Sequence, residues 1–131
     1  MKMKLLILIG AGGCVGSVLR YILSDVPYKF LSPSFPHGTL LVNFLGALLI
    51  GLFMEFSLTR SYIISDTTRM FITIGILGGF TTFSTFSYET IALLRSGNYL
   101  YASMNILFTN LLCLGGTFIG IKLISFFKQG V

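Results

Sequence analysis

Four stretches of this chain are too long and too apolar to fold in water. Residues 5–23 comprise 19 positions with one charge, Arg20. A helix of that length rises about 28 Å, close to the roughly 30 Å hydrocarbon core of a bilayer. Residues 38–54 add 17 uncharged positions ending at Glu55, residues 70–88 add 19 ending at Glu89, and residues 96–121 add 26 ending at Lys122. Only 10% of the 131 residues are charged, against roughly 25% in soluble domains. Nine Lys and Arg with four Asp and Glu cannot solvate a surface of this size, so the bilayer stands in for water. The expected fold is all-α: one integral membrane four-helix bundle over residues 1–131, with spans at about 5–23, 38–54, 70–94 and 98–126.

The segments between the spans agree. Pro27, Pro33 and Pro36 all fall between the first two spans, where they break helix. Residues 57–69 are polar and charged and read as a linker, and Arg95-Ser96-Gly97-Asn98 reads as a tight turn. Lys2 and Lys4 before an apolar run resemble a signal peptide, with a lipoprotein-like Ala11-Gly12-Gly13-Cys14. The apolar run continues past Cys14, however, and the segment is read as a retained span. Cys14 and Cys113 lie in apolar segments and read as buried thiols acting as small hydrophobes.

The net charge of +5 does not point to nucleic acid, because the cations stand singly at the edges of apolar runs. With four spans both termini share a side. That side carries Lys2, Lys4, Arg60, Arg69, Lys122 and Lys128, and the other Arg20, Lys29 and Arg95. The positive-inside rule then favours cytoplasmic termini. Small residues recur at four-residue spacing at Gly12 and Gly16, Ala47 and Gly51, Gly75 and Gly79, and Gly116 and Gly120. In lipid such faces let helix backbones approach closely.

The third span carries the chemistry. Its middle reads Gly75-Ile76-Leu77-Gly78-Gly79-Phe80-Thr81-Thr82-Phe83-Ser84-Thr85-Phe86-Ser87. Two adjacent glycines followed by a cluster of hydroxyl residues are poor material for a continuous helix. A break is expected near 78–82. Irregular backbone at membrane depth survives only where it is buried or lines a cavity, and freed carbonyls are hard oxygen ligands for cations such as Na⁺. Phe80, Phe83 and Phe86 alternate with Thr82, Ser84 and Thr85. A phenyl ring has an electropositive edge that can meet an anion without a formal charge. Asn43 near the centre of the second span offers an amide donor, and Tyr101, Asn105, Thr109 and Cys113 form one stripe on the fourth. The plain alternative for these polar groups is hydrogen bonding between helices.

The four acids, Asp25, Glu55, Asp66 and Glu89, all fall in linkers or at the ends of apolar runs, and His37 stands alone beside Pro36. Neither a proton-relaying carboxylate in mid-membrane nor a nucleophile, base and acid set is present. An enzyme is therefore not expected.

These residues resemble the CrcB/Fluc fluoride channel family along essentially the whole chain. The likeness rests on Gly12-Gly13-Cys14-Val15-Gly16 through Arg20-Tyr21, on Gly38-Thr39-Leu40-Leu41-Val42-Asn43-Phe44-Leu45-Gly46, and above all on Gly78-Gly79-Phe80-Thr81-Thr82-Phe83-Ser84-Thr85-Phe86 with Glu89. The resemblance implies an antiparallel, dual-topology homodimer in a prokaryotic inner membrane, passively exporting F⁻ to relieve its toxicity. It implies pore phenylalanines Phe83 and Phe86, a pore-lining donor at Asn43, and contributions from Thr82, Ser84, Tyr101, Asn105 and Thr109. Asn105 stands where serine is common in the family. Arg20 would sit near a vestibule and Glu89 near the pore, while carbonyls of Gly78 and Thr81 from both subunits would bind a structural Na⁺. Dual topology needs nearly balanced flanking charge. Either the placement of Arg20 and Lys122 at span ends distorts the count, or the chain inserts with a bias. Two rivals are a small multidrug-type proton-coupled antiporter, which needs an embedded carboxylate that span one lacks, and a non-transporting scaffold, which leaves the polar centre of span three unexplained.

Overall fold

The computed structural model describes residues 2–59 and 63–129, the last two by backbone alone. Among the described residues every regular element is a helix. Helix α1 (Lys2–Asp25) runs into a 3₁₀ turn, Val26–Lys29, and after the proline-containing connection α2 spans His37–Thr59. A third unit is assembled in pieces: α3 (Asp66–Met70), a π-helical stretch Phe71–Leu77, α4 (Gly78–Phe80) and α5 (Phe83–Arg95). Helix α6 (Tyr99–Gln129) closes the chain. Among the described residues, four helical segments are long and apolar enough to cross a membrane: Lys2–Lys29, His37–Thr59, Asp66–Arg95 and Tyr99–Phe127. The chain is a multi-pass membrane protein.

Each helix outruns its apolar stretch, because backbone hydrogen bonding continues after the side chains turn polar. This corrects the linker expected at residues 57–69. Helix α2 carries on to Thr59, and Ser57 is fully buried, accepting a 2.8 Å hydrogen bond from Arg69 Nε. Ser65 caps α3 by accepting from the Thr68 backbone N–H. Arg60 lies outside the described residues, as does the Lys128 side chain. Between α5 and α6 the chain reverses at Gly97, whose φ of 78° favours glycine. The Asn98 N–H reaches back to the Leu93 carbonyl and that of Gly97 to Leu94, satisfying two carbonyls that the end of α5 would otherwise leave bare.

The recurrent small residues sort the helices into two close pairs. Gly12 and Gly16 of α1 press on the third unit. A Cβ at Gly12 would stand 3.1 Å from the Gly75 Cα, and one at Gly79 would stand 2.6 Å from the Gly13 carbonyl. Helix α2 packs on α6 in the same manner, with Gly120 against the Leu48 carbonyl and Gly116 against the Phe44 ring. Thr117 Oγ1 adds a 3.0 Å bond to the Ala47 carbonyl. The two cysteines are free thiols, and burial fails for Cys14, which is exposed, while Cys113 is half-buried. The cause is helical geometry: α1 turns Gly12 and Gly16 inward, and position 14 lies between them on the opposite face.

Candidate functional site

The two helix pairs meet at one joint in the middle of the third unit. Thr81 (φ −86°, ψ 159°) and Thr82 (φ −152°, ψ 114°) are extended, so the backbone leaves the helical region between α4 and α5. Gly78 and Gly79, whose adjacency first marks the region, are themselves helical. Thr82 caps α5, its hydroxyl oxygen accepting from the Thr85 N–H at 3.2 Å. Asn43 of α2 accounts for the backbone groups set free. Its Nδ2 donates to the Thr82 carbonyl at 3.0 Å, and its Oδ1 accepts from the Thr82 N–H at 2.8 Å. An unbroken helix would give that N–H to the Gly78 carbonyl, which does not receive it here. Buried amide and backbone groups thereby satisfy one another, as a site without water requires.

Beside this joint lies a cleft of about 390 Å³ whose walls include Asn43, Gly78, Thr81, Thr82, Phe83, Phe86 and Thr109. The Phe83 and Phe86 rings stand 5.4 Å apart and are tilted by 53° to one another, and both line the space. Phe86 is buried and Phe83 is 77% exposed, leaving the cleft open along one side. The wall is largely apolar, with amide and hydroxyl groups at intervals and no ionisable acid or base other than the Cys113 thiol. The second N–H of Asn43 Nδ2 remains beyond the one given to Thr82.

On the other side of Thr82 a second cleft, about 430 Å³, is walled by Ser17, Arg20, Tyr21, Ser24, Thr39, Val42, Thr82 and Thr85. Thr82 is common to both clefts. Arg20 reaches the joint from this side, its guanidinium 3.5 Å from the Thr81 carbonyl. Glu89 lies within α5 rather than at the end of a span, because α5 runs on to Arg95. One carboxylate oxygen accepts from Thr39 Oγ1 at 2.8 Å and the other is buried without a partner. It borders an adjoining hollow with Tyr21, Ser24, Asp25 and Lys29.

The structure thus gathers Asn43, Gly78, Thr81, Thr82, Phe83, Phe86 and Thr109 around one space and leaves the other expected site residues outside it. Ser84 stands by the Thr82 hydroxyl at 3.3 Å but off the cleft wall. Tyr101 packs its ring edge-on to Phe35, and Asn105 is fully buried between α5 and α6. Sequence reasoning gave no role to Thr39 or Thr90, which bond to Glu89 and Asn105. Four-residue spacing was the available signal: Thr39 precedes Asn43 by one turn, and Thr90 follows Phe86 by one.

Among the described residues, no group of three His, Cys, Asp or Glu side chains could hold a metal ion. A match to the family model described as CrcB-like protein, Camphor Resistance (CrcB), covers residues 7–121. The chain belongs to that family. Among its relatives within it, a protein of Geotalea daltonii is 52% identical over 119 residues, covering 91% of this chain and 95% of its own. A Geobacter sulfurreducens protein is 50% identical over the same shares. A Clostridium novyi protein is 45% identical, over 91% of this chain and 92% of its own. Each of the three is named a fluoride-specific ion channel.

Proposed function

We propose that this CrcB-family chain is a fluoride-specific ion channel, passing F⁻ down its electrochemical gradient and so relieving a cell of it. The observation that carries the reading is the pairing of tilted Phe83 and Phe86 rings with the Asn43–Thr82 joint in one cleft free of carboxylate. Fluoride is small and strongly hydrated, so a pore must replace its water with many weak donors. Ring edges and the spare Asn43 N–H supply such donors, beside the Thr82 and Thr109 side chains on the same wall, without a fixed cation that would hold the ion too tightly. Of the fourth-span stripe, Thr109 stands on the cleft wall. Arg20 belongs to the vestibule cleft, drawing anions toward the joint, and Glu89 borders the pathway.

The channel acts as an antiparallel homodimer of dual topology, the open side of the cleft at Phe83 being closed by a second copy. Na⁺ suits the joint, because the Gly78 carbonyl is released from its helical bond and that of Thr81 accepts only the long contact from Arg20. Two carbonyls cannot replace a hydration shell, so the same pair from a second copy would complete the site. Bound there, Na⁺ would fix the extended backbone. The antiporter alternative has no support among the relatives, and α1 contains no acid before Asp25.

The test is fluoride efflux from liposomes carrying Phe83→Ile or Phe86→Ile. Both changes keep bulk and remove the ring edge, and flux is expected to fall in each. Unchanged flux in both variants would sink the ring-edge mechanism.

A further inference from the structure

The third and fourth spans are tied by a run of hydrogen bonds whose direction is forced. Thr90 Oγ1 donates its one proton to the Phe86 carbonyl at 2.7 Å. It is then left to accept from Asn105, whose Nδ2 stands 2.9 Å away. With its NH₂ committed there, the Asn105 amide turns Oδ1 to Thr109 Oγ1, which donates at 3.3 Å. Phe86, Thr90, Asn105 and Thr109 are all buried, Asn105 completely. Both ends of the Asn105 amide are thus engaged, and the residue borders neither cleft beside the joint.

We infer that Asn105 is a positioning residue: through Thr90 it sets α5 against α6 and so holds the Phe86 ring in place beside Phe83. The inference deepens the fluoride-channel reading and rests on it for any effect on flux. The side chain suits the task. It donates to one hydroxyl and accepts from another, reaching further than serine. Leucine would match its shape and do neither, and ionised aspartate would set an acceptor against the oxygen of Thr90, whose proton is already given away. Thr109 belongs both to this run and to the cleft wall, so the run ends in the cleft whose other wall carries Phe86.

The experiment compares Asn105→Leu, Thr90→Val and Thr90→Ser by fluoride efflux from liposomes. It also uses fluorine NMR of full-length protein with para-fluorophenylalanine at position 86. Asn105→Leu and Thr90→Val are each expected to lower flux by about tenfold, which corresponds to about 1.4 kcal/mol in the barrier. Both should shift or broaden the fluorine line, while Thr90→Ser, which keeps the hydroxyl, retains wild-type flux and line. Loss of flux in Asn105→Leu with normal flux in Thr90→Val would overturn the inference, since Asn105 would then meet the ion directly. An unmoved line in both variants would overturn it as well, leaving only a helix–helix bond. Should Asn105→Leu fail to fold, Thr90→Val carries the test alone, removing one hydroxyl at similar bulk. If the unsubstituted protein passes no fluoride, the channel reading fails, and the fluorine line by itself decides the positioning claim.

Discussion

Replacing Asn43 by leucine removes the side chain that pairs with both backbone groups of Thr82. The change keeps shape and removes both bonds to Thr82, at 3.0 and 2.8 Å, between two buried residues. A buried backbone group left unpaired costs about 1–3 kcal/mol in a protein interior. Bonds between membrane helices average less, about 0.6 and at most about 1.7 kcal/mol each, because the unfolded chain in lipid finds other partners. Two such bonds put the expected loss at about 1–3 kcal/mol. The chain has one way to recover part of it. The Thr82 N–H can return to the Gly78 carbonyl if Thr81 and Thr82 become helical, and that movement would swing Phe83 and Phe86 away from α2. Asn43→Leu should therefore lose stability in a denaturant titration of the detergent-solubilised protein and lose fluoride flux by about tenfold or more. Asn43→Asp keeps an acceptor for the Thr82 N–H but presents an acidic group to an anion, so flux should fall further than stability. Stability and flux both unchanged in Asn43→Leu would refute the view that this amide holds the extended backbone in place.

Three further outcomes are expected. Gly79→Ala sets a Cβ 2.6 Å from the Gly13 carbonyl, backbone against backbone, and should cost about 1–3 kcal/mol by the same titration. Gly115→Ala has nothing within 4 Å and should be neutral or slightly stabilising. Equal effects at the two glycines would contradict the packing of α1 on the third unit. Exchanging Na⁺ for a large organic cation should lower the melting temperature, because a ligand at about a hundred times its dissociation constant stabilises by about 2.7 kcal/mol. A melting temperature indifferent to Na⁺ would rule out the carbonyl site.

Length and polarity made the four spans readable, since bilayer thickness sets how many apolar residues a helix must have and few charges interrupt them. The paired glycines were readable as packing faces. Which pair met which was not, because a small-residue stripe specifies close approach and no particular partner. The ends were read too short: Ser57 is polar in sequence yet fully buried, held by an Arg69 that arrives from beyond the connection. Gly78 and Gly79 drew attention to the right neighbourhood, but it is the two threonines after them that are extended, where a hydroxyl can cap α5 and Asn43 can meet the backbone. Asn105 illustrates the limit. Its place on a polar stripe gave Thr109 as a neighbour one turn away, whereas its other partner, Thr90, lies on α5 and could be known only once the two helices were packed.

Selective fluoride conduction is tested by efflux of fluoride and of chloride from liposomes holding the purified, unsubstituted protein in Na⁺-containing buffer. Rapid fluoride efflux with negligible chloride efflux is expected. A correctly folded protein that passes neither ion, or passes both alike, would contradict it.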